Sequence, residues 1–98
     1  MEEEPEYPDA VELPIDGTLD LHAFKPEDLK ELIPDYLVAC RSRGILRVRI
    51  IHGKGTGTLR RTVHSMLGKM KEVEFFKLAG EEAGGWGATI VILKPPDF

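Results

Sequence analysis

The chain has 98 residues, of which 42% are hydrophobic, and this length predicts a single domain and excludes a second catalytic domain. Its one cysteine excludes a disulfide framework or a cysteine-based zinc cluster, and its longest aliphatic run, residues 90–93, is far short of the roughly 20 residues of a membrane span. The acidic start at residues 1–4 is opposite in charge to a signal peptide. We therefore expect a soluble cytoplasmic protein, with a monomer favoured.

The net charge of −4 conceals an uneven distribution of charge along the chain. Residues 1–35 contain twelve of the seventeen acidic residues, whereas residues 36–71 contain nine of the thirteen Lys and Arg residues and no acid. The second segment therefore carries a strongly positive local field. Such a field fits either a solvated surface or an anion-binding surface, and a glycine-rich loop inside the segment favours the second.

The first half of the chain predicts an arm, a strand and a helix. Residues 1–15 are acidic and rich in proline, so we expect a poorly ordered arm before a folded domain at 16–94 and a tail at 95–98. Residues 18–22 alternate in polarity and predict a strand, which would place Asp20 and His22 on one face about 7 Å apart. From Pro26 the apolar period is helical as far as Gly44, with a kink expected at Pro34.

The second half predicts a strand at 45–51, a loop at 52–57, a second helix, and strands at 73–78 and 88–93. The order βαβαββ predicts an α/β two-layer sandwich. We expect a four-stranded mixed sheet in which the first three strands are parallel and the fourth antiparallel, with two helices on one face. The other face would then carry Asp20, His22, Arg47 and Arg49 toward solvent.

The strongest local motif is the segment 52–58, His-Gly-Lys-Gly-Thr-Gly-Thr. Its three glycines permit a close backbone approach, and the loop opens into a helix whose first N–H groups carry partial positive charge. The pattern predicts a phosphate cradle, or else a turn needed only for tight strand-to-helix geometry; the GxxxxGK[ST] and GxGxxG spacings of nucleotide sites are absent. The candidate phosphate and nucleic-acid ligands are Gly53, Lys54, Gly55, Thr56, Gly57, Thr58, Arg47, Arg49, Arg60 and Arg61.

Three residues are candidates for catalysis. His22 and His52 each follow a predicted strand, and parallel neighbouring strands would bring both to one sheet edge. One imidazole can accept a proton from an attacking oxygen while another gives one to the leaving oxygen. Asp20 would orient His22 or hold a divalent ion such as Mg²⁺ or Mn²⁺, so the metal requirement stays open. The alternative is that each histidine only caps its strand.

Two aromatic residues lie outside these motifs. Trp86, the only tryptophan, lies in a glycine-rich loop and is either a base-stacking platform or a cover for the end of the core. His64 lies off the apolar stripe of the second helix, which indicates a surface residue or an additional phosphate contact.

Leu19-Asp20-Leu21-His22, the loop His-Gly-Lys-Gly-Thr-Gly at 52–57 and Gly-Trp-Gly-Ala-Thr-Ile at 85–90 together resemble the three motifs of the Smr (small MutS-related) domain in its stand-alone form. The resemblance implies a fold similar to the C-terminal domain of translation initiation factor three, and DNA nicking or RNA endonuclease activity in DNA repair or recombination. It places the Asp and His of the first motif at Asp20 and His22, and it implies that residues 52–55 are substrate-binding and catalytic elements. Two departures are Ala23, where the family commonly has glycine, and Trp86, where many members have a smaller residue.

Three functions follow as hypotheses. The first is a structure-selective or weakly sequence-dependent endonuclease acting on phosphodiesters of DNA or RNA. The alternative is a non-catalytic nucleic-acid-binding module that uses the same cradle. An enzyme acting on small phosphorylated molecules is less favoured, because there is no second domain to form a deep pocket.

Overall fold

The computed structural model describes residues 14–81 and 85–96. Its elements are β1 (Thr18–Asp20), α1 (Leu29–Ser42), β2 (Arg47–Ile51), α2 (Thr58–Gly68), β3 (Val73–Leu78) and β4 (Ala88–Leu93), with short 3₁₀ turns at Leu21–Ala23, Pro26–Asp28 and Gly85–Gly87. The predicted order βαβαββ is confirmed. The expected acidic arm lies outside the described residues, apart from its last two positions.

The four strands form one mixed sheet in the order β1-β2-β4-β3. β1 pairs with β2 in parallel, Leu19 lying opposite Ile50, and β4 is antiparallel to both of its neighbours. The first three strands therefore run in one direction, as expected when helices connect them. The last strand enters between β2 and β3, which makes it a central strand.

Both helices pack on one face of this sheet and share a single core with it. The helical apolar period predicts a stripe of Leu29, Leu32, Ile33, Tyr36, Leu37 and Cys40 along α1. This stripe is confirmed, because all of these residues except Leu32 are buried, and α1 continues through Pro34. The helices contribute Leu29, Ile33, Tyr36, Leu37, Cys40, Val63 and Leu67 to this core, and the strands contribute Leu19, Val48, Ile50, Val91 and Leu93. This core holds the carboxyl ends of β1 and β2 in place.

The hydroxyl of Tyr36 ties α1 to the start of β1. It donates to the carbonyl of Thr18 at 3.0 Å and accepts from the backbone N–H of Gly17 at 3.1 Å. Burial of the phenol raises the pKa of Tyr36 to about 12. These bonds set the position from which β1 carries Asp20 to the sheet edge.

The opposite face of the sheet is less polar than expected. Asp20 and Arg47 are exposed there, but Arg49 is half-buried. A second apolar cluster of Ala79, Ala88 and Ile90, with Ile51 and Ile92 against it, occupies the middle of this face. The reason is the central place of β4, whose residues on this face, Ala88, Ile90 and Ile92, are all apolar. No helix among the described residues is long and apolar enough to cross a membrane.

Candidate active site

The carboxyl ends of β1 and β2 place two histidine-containing segments side by side. Asp20, the last residue of β1, lies opposite Ile51, the last residue of β2. His22 therefore follows one strand and His52 the next at the same edge of the sheet. The prediction that parallel pairing joins the two motifs at one edge is confirmed.

Asp20 and His22 are in direct contact, whereas the sequence predicted a spacing of about 7 Å along one strand. That prediction is wrong because β1 ends at Asp20 and His22 lies in a 3₁₀ turn. The Asp20 carboxylate oxygen Oδ1 accepts the backbone N–H of His22 at 2.9 Å and its ring Nδ1–H at 2.7 Å. These bonds, the backbone one first, hold the pKa of Asp20 below its usual value.

The tautomer of His22 follows from this contact. An ionised carboxylate can only accept, so Nδ1 carries the proton and Nε2 has a free lone pair in the neutral ring. The His22 side chain is 64% exposed, and its Nε2 faces the loop at Gly53: a Cβ built on Gly53 would lie 3.0 Å from that nitrogen. Gly53 also has φ of +84°, which favours glycine. The arrangement is an oriented imidazole against a glycine-rich backbone.

The end of the loop gathers positive charge at the start of α2. Gly57 precedes α2 with φ of +90°, and a Cβ at Gly57 would lie 3.0 Å from an Arg60 guanidinium nitrogen and 3.4 Å from one of Arg61. A cavity of about 380 Å³ adjoins this segment. Pro26, Leu29 and Arg60 are among the residues that line it. A helix N-terminus with two guanidinium groups is suited to an anion.

His52 lies behind the loop and is only 5% exposed. Its Nδ1–H donates to the carbonyl of Gly53 at 3.0 Å, because that oxygen can only accept. Its Nε2 therefore accepts from the hydroxyl of Thr89 at 2.8 Å. Both ring nitrogens are engaged inside the protein, and burial lowers the pKa of His52.

Thr89 and His64 are members of this network that the sequence analysis missed. The fully buried Thr89 hydroxyl accepts from His64 Nε2 at 2.7 Å, and the His64 ring packs 4.8 Å from that of Phe76. The sequence predicted a surface residue or an additional phosphate contact, but His64 is half-buried, because α2 turns its ring toward the sheet. Burial lowers the pKa of His64 as well. Two signals were available, since Thr89 is a polar residue in an otherwise apolar strand and also lies in the third motif, at 85–90.

The other predicted cationic ligands are Lys54 and Arg49, which lie near the site, and Arg47, which does not. Lys54 is exposed, and its Cγ lies 3.4 Å from the position of a Cβ on Gly87, so it joins Arg60 and Arg61 around the loop. Arg49 is close enough to Asp20 to help lower its pKa. Arg47 begins β2, about 13 Å along the strand from the end that meets the loop, so the structure does not bring it to the site.

The exposure of Trp86 and the grouping of possible metal ligands bear on two of the sequence predictions. Trp86 is 69% exposed, which excludes a role as a cover for the end of the core. Among residues 14–81 and 85–96, no three His, Cys, Asp or Glu side chains come together as metal ligands. A divalent ion at Asp20 would therefore depend on that carboxylate, on water and on phosphate oxygens of a substrate.

Comparison with known proteins gives consistent results. Residues 19–94 match the Smr domain family model. Endonuclease MutS2 of Halothermothrix orenii is 40% identical over 80 residues, an alignment that covers 82% of this chain and 10% of that protein. The chain thus spans about a tenth of the length of this curated relative.

Two solved structures share the fold. The Smr domain of Thermus thermophilus MutS2 has a TM-score of 0.75 and 34% identity, covering 82% of this chain and 100% of that one. YdaL, a stand-alone small MutS-related protein from Escherichia coli, has a TM-score of 0.74 and 26% identity, covering 80% and 64% respectively. The expected α/β sandwich is confirmed.

Proposed function

The chain belongs to the Smr domain family, and from that premise we propose that it is a nucleic-acid endonuclease domain that cleaves phosphodiester bonds of DNA or RNA. The observation that carries the proposal is the Asp20–His22 pair, whose free imidazole nitrogen faces the glycine-rich loop. The homologous MutS2 proteins are named endonucleases, which supports the same class of reaction.

In the proposed reaction, His22 is the general base. Its Nε2 takes a proton from the attacking oxygen, water or a ribose 2′-hydroxyl, as that oxygen bonds to phosphorus. The phosphorus bond to the leaving oxygen breaks, and that oxygen takes a proton from solvent. Asp20 holds the imidazole in the required tautomer and stabilises the imidazolium that forms, since its carboxylate accepts the Nδ1–H.

The loop and the start of α2 bind the phosphate in this proposal. Lys54, Arg60 and Arg61 supply full charges, and the backbone of residues 53–58 allows close approach. The cavity beside the loop has room for the sugar attached to that phosphate. Arg49 would contact the flanking backbone, and Arg47 lies too far along β2 to join the same phosphate.

The sequence predicted His52 as a second catalytic imidazole, and we propose a positioning role for it instead, because both of its ring nitrogens bond inside the protein. Its ring connects the carbonyl of Gly53 to the hydroxyl of Thr89, and its backbone N–H donates to the carbonyl of Gly87. These bonds hold Gly53 in place next to His22. The departure at Ala23 fits this geometry, because Ala23 is exposed and no non-glycine residue within the described ranges has a positive φ.

The test of catalysis is a cleavage assay on supercoiled plasmid and on structured RNA, with Mg²⁺, Mn²⁺ or EDTA. We expect Asp20→Asn and His22→Ala to lose at least about 100-fold in cleavage rate, the usual size of a general-base contribution, with affinity unchanged. Asp35→Asn, which removes an exposed acid from α1, is the matched control and should cleave like the wild type. Cleavage that survives both active-site substitutions contradicts the proposal. Binding without cleavage under every condition favours the alternative, a non-catalytic nucleic-acid-binding module.

The phosphate assignment has a separate test in Lys54→Ala. Loss of one phosphate contact should weaken binding of every nucleic acid and reduce the slope of log affinity against log salt by about 1. Lys69→Ala, at the far end of α2, is the matched control. Equal slopes for the two variants would remove Lys54 from the phosphate site.

A further inference from the structure

Trp86 is the most exposed of the large hydrophobic side chains that the structure describes, at 69%. Tryptophan is mostly buried in folded proteins, so an exposed ring is informative. Phe75, another exposed aromatic residue, lies opposite Ile92, about 13 Å along β4 from Ala88. The two rings therefore do not form one apolar patch of the kind that a protein interface uses.

The backbone next to Trp86 is hydrogen-bonded to the glycine-rich loop at residues 52–57. The carbonyl of Gly87 accepts the N–H groups of His52 and Gly53, both at 2.9 Å. The Cβ position of Gly87 is 3.4 Å from Lys54 Cγ and 3.6 Å from the backbone of Gly53. Trp86, one residue away, is thus held beside the cationic loop while its ring stays free.

We propose that Trp86 stacks on an unpaired nucleobase next to the phosphate held by the loop, and that the substrates of this domain are single-stranded or locally unpaired nucleic acids. An aromatic ring beside a cation is the usual combination in proteins that bind single strands. Bases within a duplex have both faces covered by neighbouring base pairs, so only an unpaired or flipped base offers a face to Trp86. The inference rests on the proposed function for the role of the loop, and it adds the class of nucleic acid.

The fluorescence of Trp86 is a direct probe, because the chain contains no other tryptophan. The full chain carrying His22→Ala, which prevents cleavage during the titration, is mixed with a single-stranded oligonucleotide, a blunt duplex of matched composition, or the single strand with abasic positions. Stacking predicts quenching by the single strand, and little by the duplex or the abasic strand. Equal quenching by single strand and duplex, or none by either, overturns the proposal.

Substitution separates stacking from simple apolar contact. Trp86→Leu keeps apolar surface without a π-face and should weaken single-strand binding by about 5- to 150-fold, while Trp86→Phe should recover most of the affinity. Duplex binding should change by less than about twofold in both variants, because phosphate contacts dominate it. Phe75→Leu is the control at a distant exposed ring. Single-strand affinity that Trp86→Leu leaves unchanged, or an equal loss for duplex, refutes stacking.

The two proposals fail in different ways. Cleavage by the wild type without any fluorescence response would refute the stacking site and leave the endonuclease proposal standing. Quenching by single strands without cleavage under any metal condition would refute the endonuclease and leave the stacking site standing.

Discussion

Replacing Thr89 by valine removes one hydroxyl from the buried side of β4 and keeps the shape of the side chain. Thr89 is 0% exposed, and its Oγ1 lies 2.8 Å from His52 Nε2 and 2.7 Å from His64 Nε2. Each buried polar group left without a partner costs about 1–3 kcal/mol, and the half-buried His64 can turn its nitrogen partly to water. We therefore expect Thr89→Val to lower the free energy of unfolding by about 2–4 kcal/mol.

Thr89→Ser is the matched control, because it keeps the hydroxyl and loses one methyl group, which costs about 1 kcal/mol. The two variants are compared by urea unfolding, where a change in midpoint at constant m-value reports stability. Nitrogen chemical shifts of the His52 ring give a second readout: the Nδ1–H tautomer should persist in the serine variant. A valine variant as stable as the serine variant would refute the role of this hydroxyl in supporting the loop.

Two further predictions concern the loop and pH. Gly53→Ala should slow cleavage at least about 10-fold, since the φ of Gly53 is +84° and an added Cβ would lie 3.0 Å from His22 Nε2. Gly55→Ala is the control and should change the cleavage rate by less than about twofold, because Gly55 has open space around it. Equal effects of the two substitutions in the same assay would contradict the geometry. The free energy of unfolding should fall as pH decreases from about 7 toward 5, by up to about 1.4 kcal/mol per pH unit for each of His52 and His64. The reason is that the pKa values of both histidines are lowered in the folded protein, so the unfolded chain binds protons at a higher pH than the folded protein does. Urea unfolding at several pH values measures this, and a stability that is flat or rises on acidification would count against the buried neutral histidines.

Local periodicity was sufficient to predict the elements of the fold. The bounds of β3 and β4 agree with the predicted strands at 73–78 and 88–93, and the stripe of α1 is buried as expected. Alternation of period two and the helical period are properties of neighbouring residues, so they can be read without the tertiary structure. The family resemblance also rests on local motifs, and the match over residues 19–94 confirms it.

The contact between Asp20 and His22 could not be predicted from the alternation of polar and apolar residues. The sequence pattern predicts a strand through His22, but the Asp20 carboxylate takes the N–H of His22 and starts a 3₁₀ turn. A side chain that competes with the sheet for a backbone donor shortens the strand, and alternation alone does not reveal this competition. The sequence singled out Asp20 and His22 as a pair, but it placed them about 7 Å apart, whereas they are in direct contact.

By itself, the sequence determined the order of the elements, the cationic loop and the family of this protein, because each depends on residues close together in the chain. Only the tertiary structure decided which hydrogen-bond partners Thr89, His52 and His64 have. Thr89 lies 37 residues from His52 and 25 from His64 along the chain. Their hydrogen bonds form because β4 enters the sheet beside β2, and because α2 packs on the face of the sheet to which Thr89 points. Burial, tautomer and the lowered pKa values of these histidines follow from that assembly, since desolvation and hydrogen bonding arise only when distant segments pack.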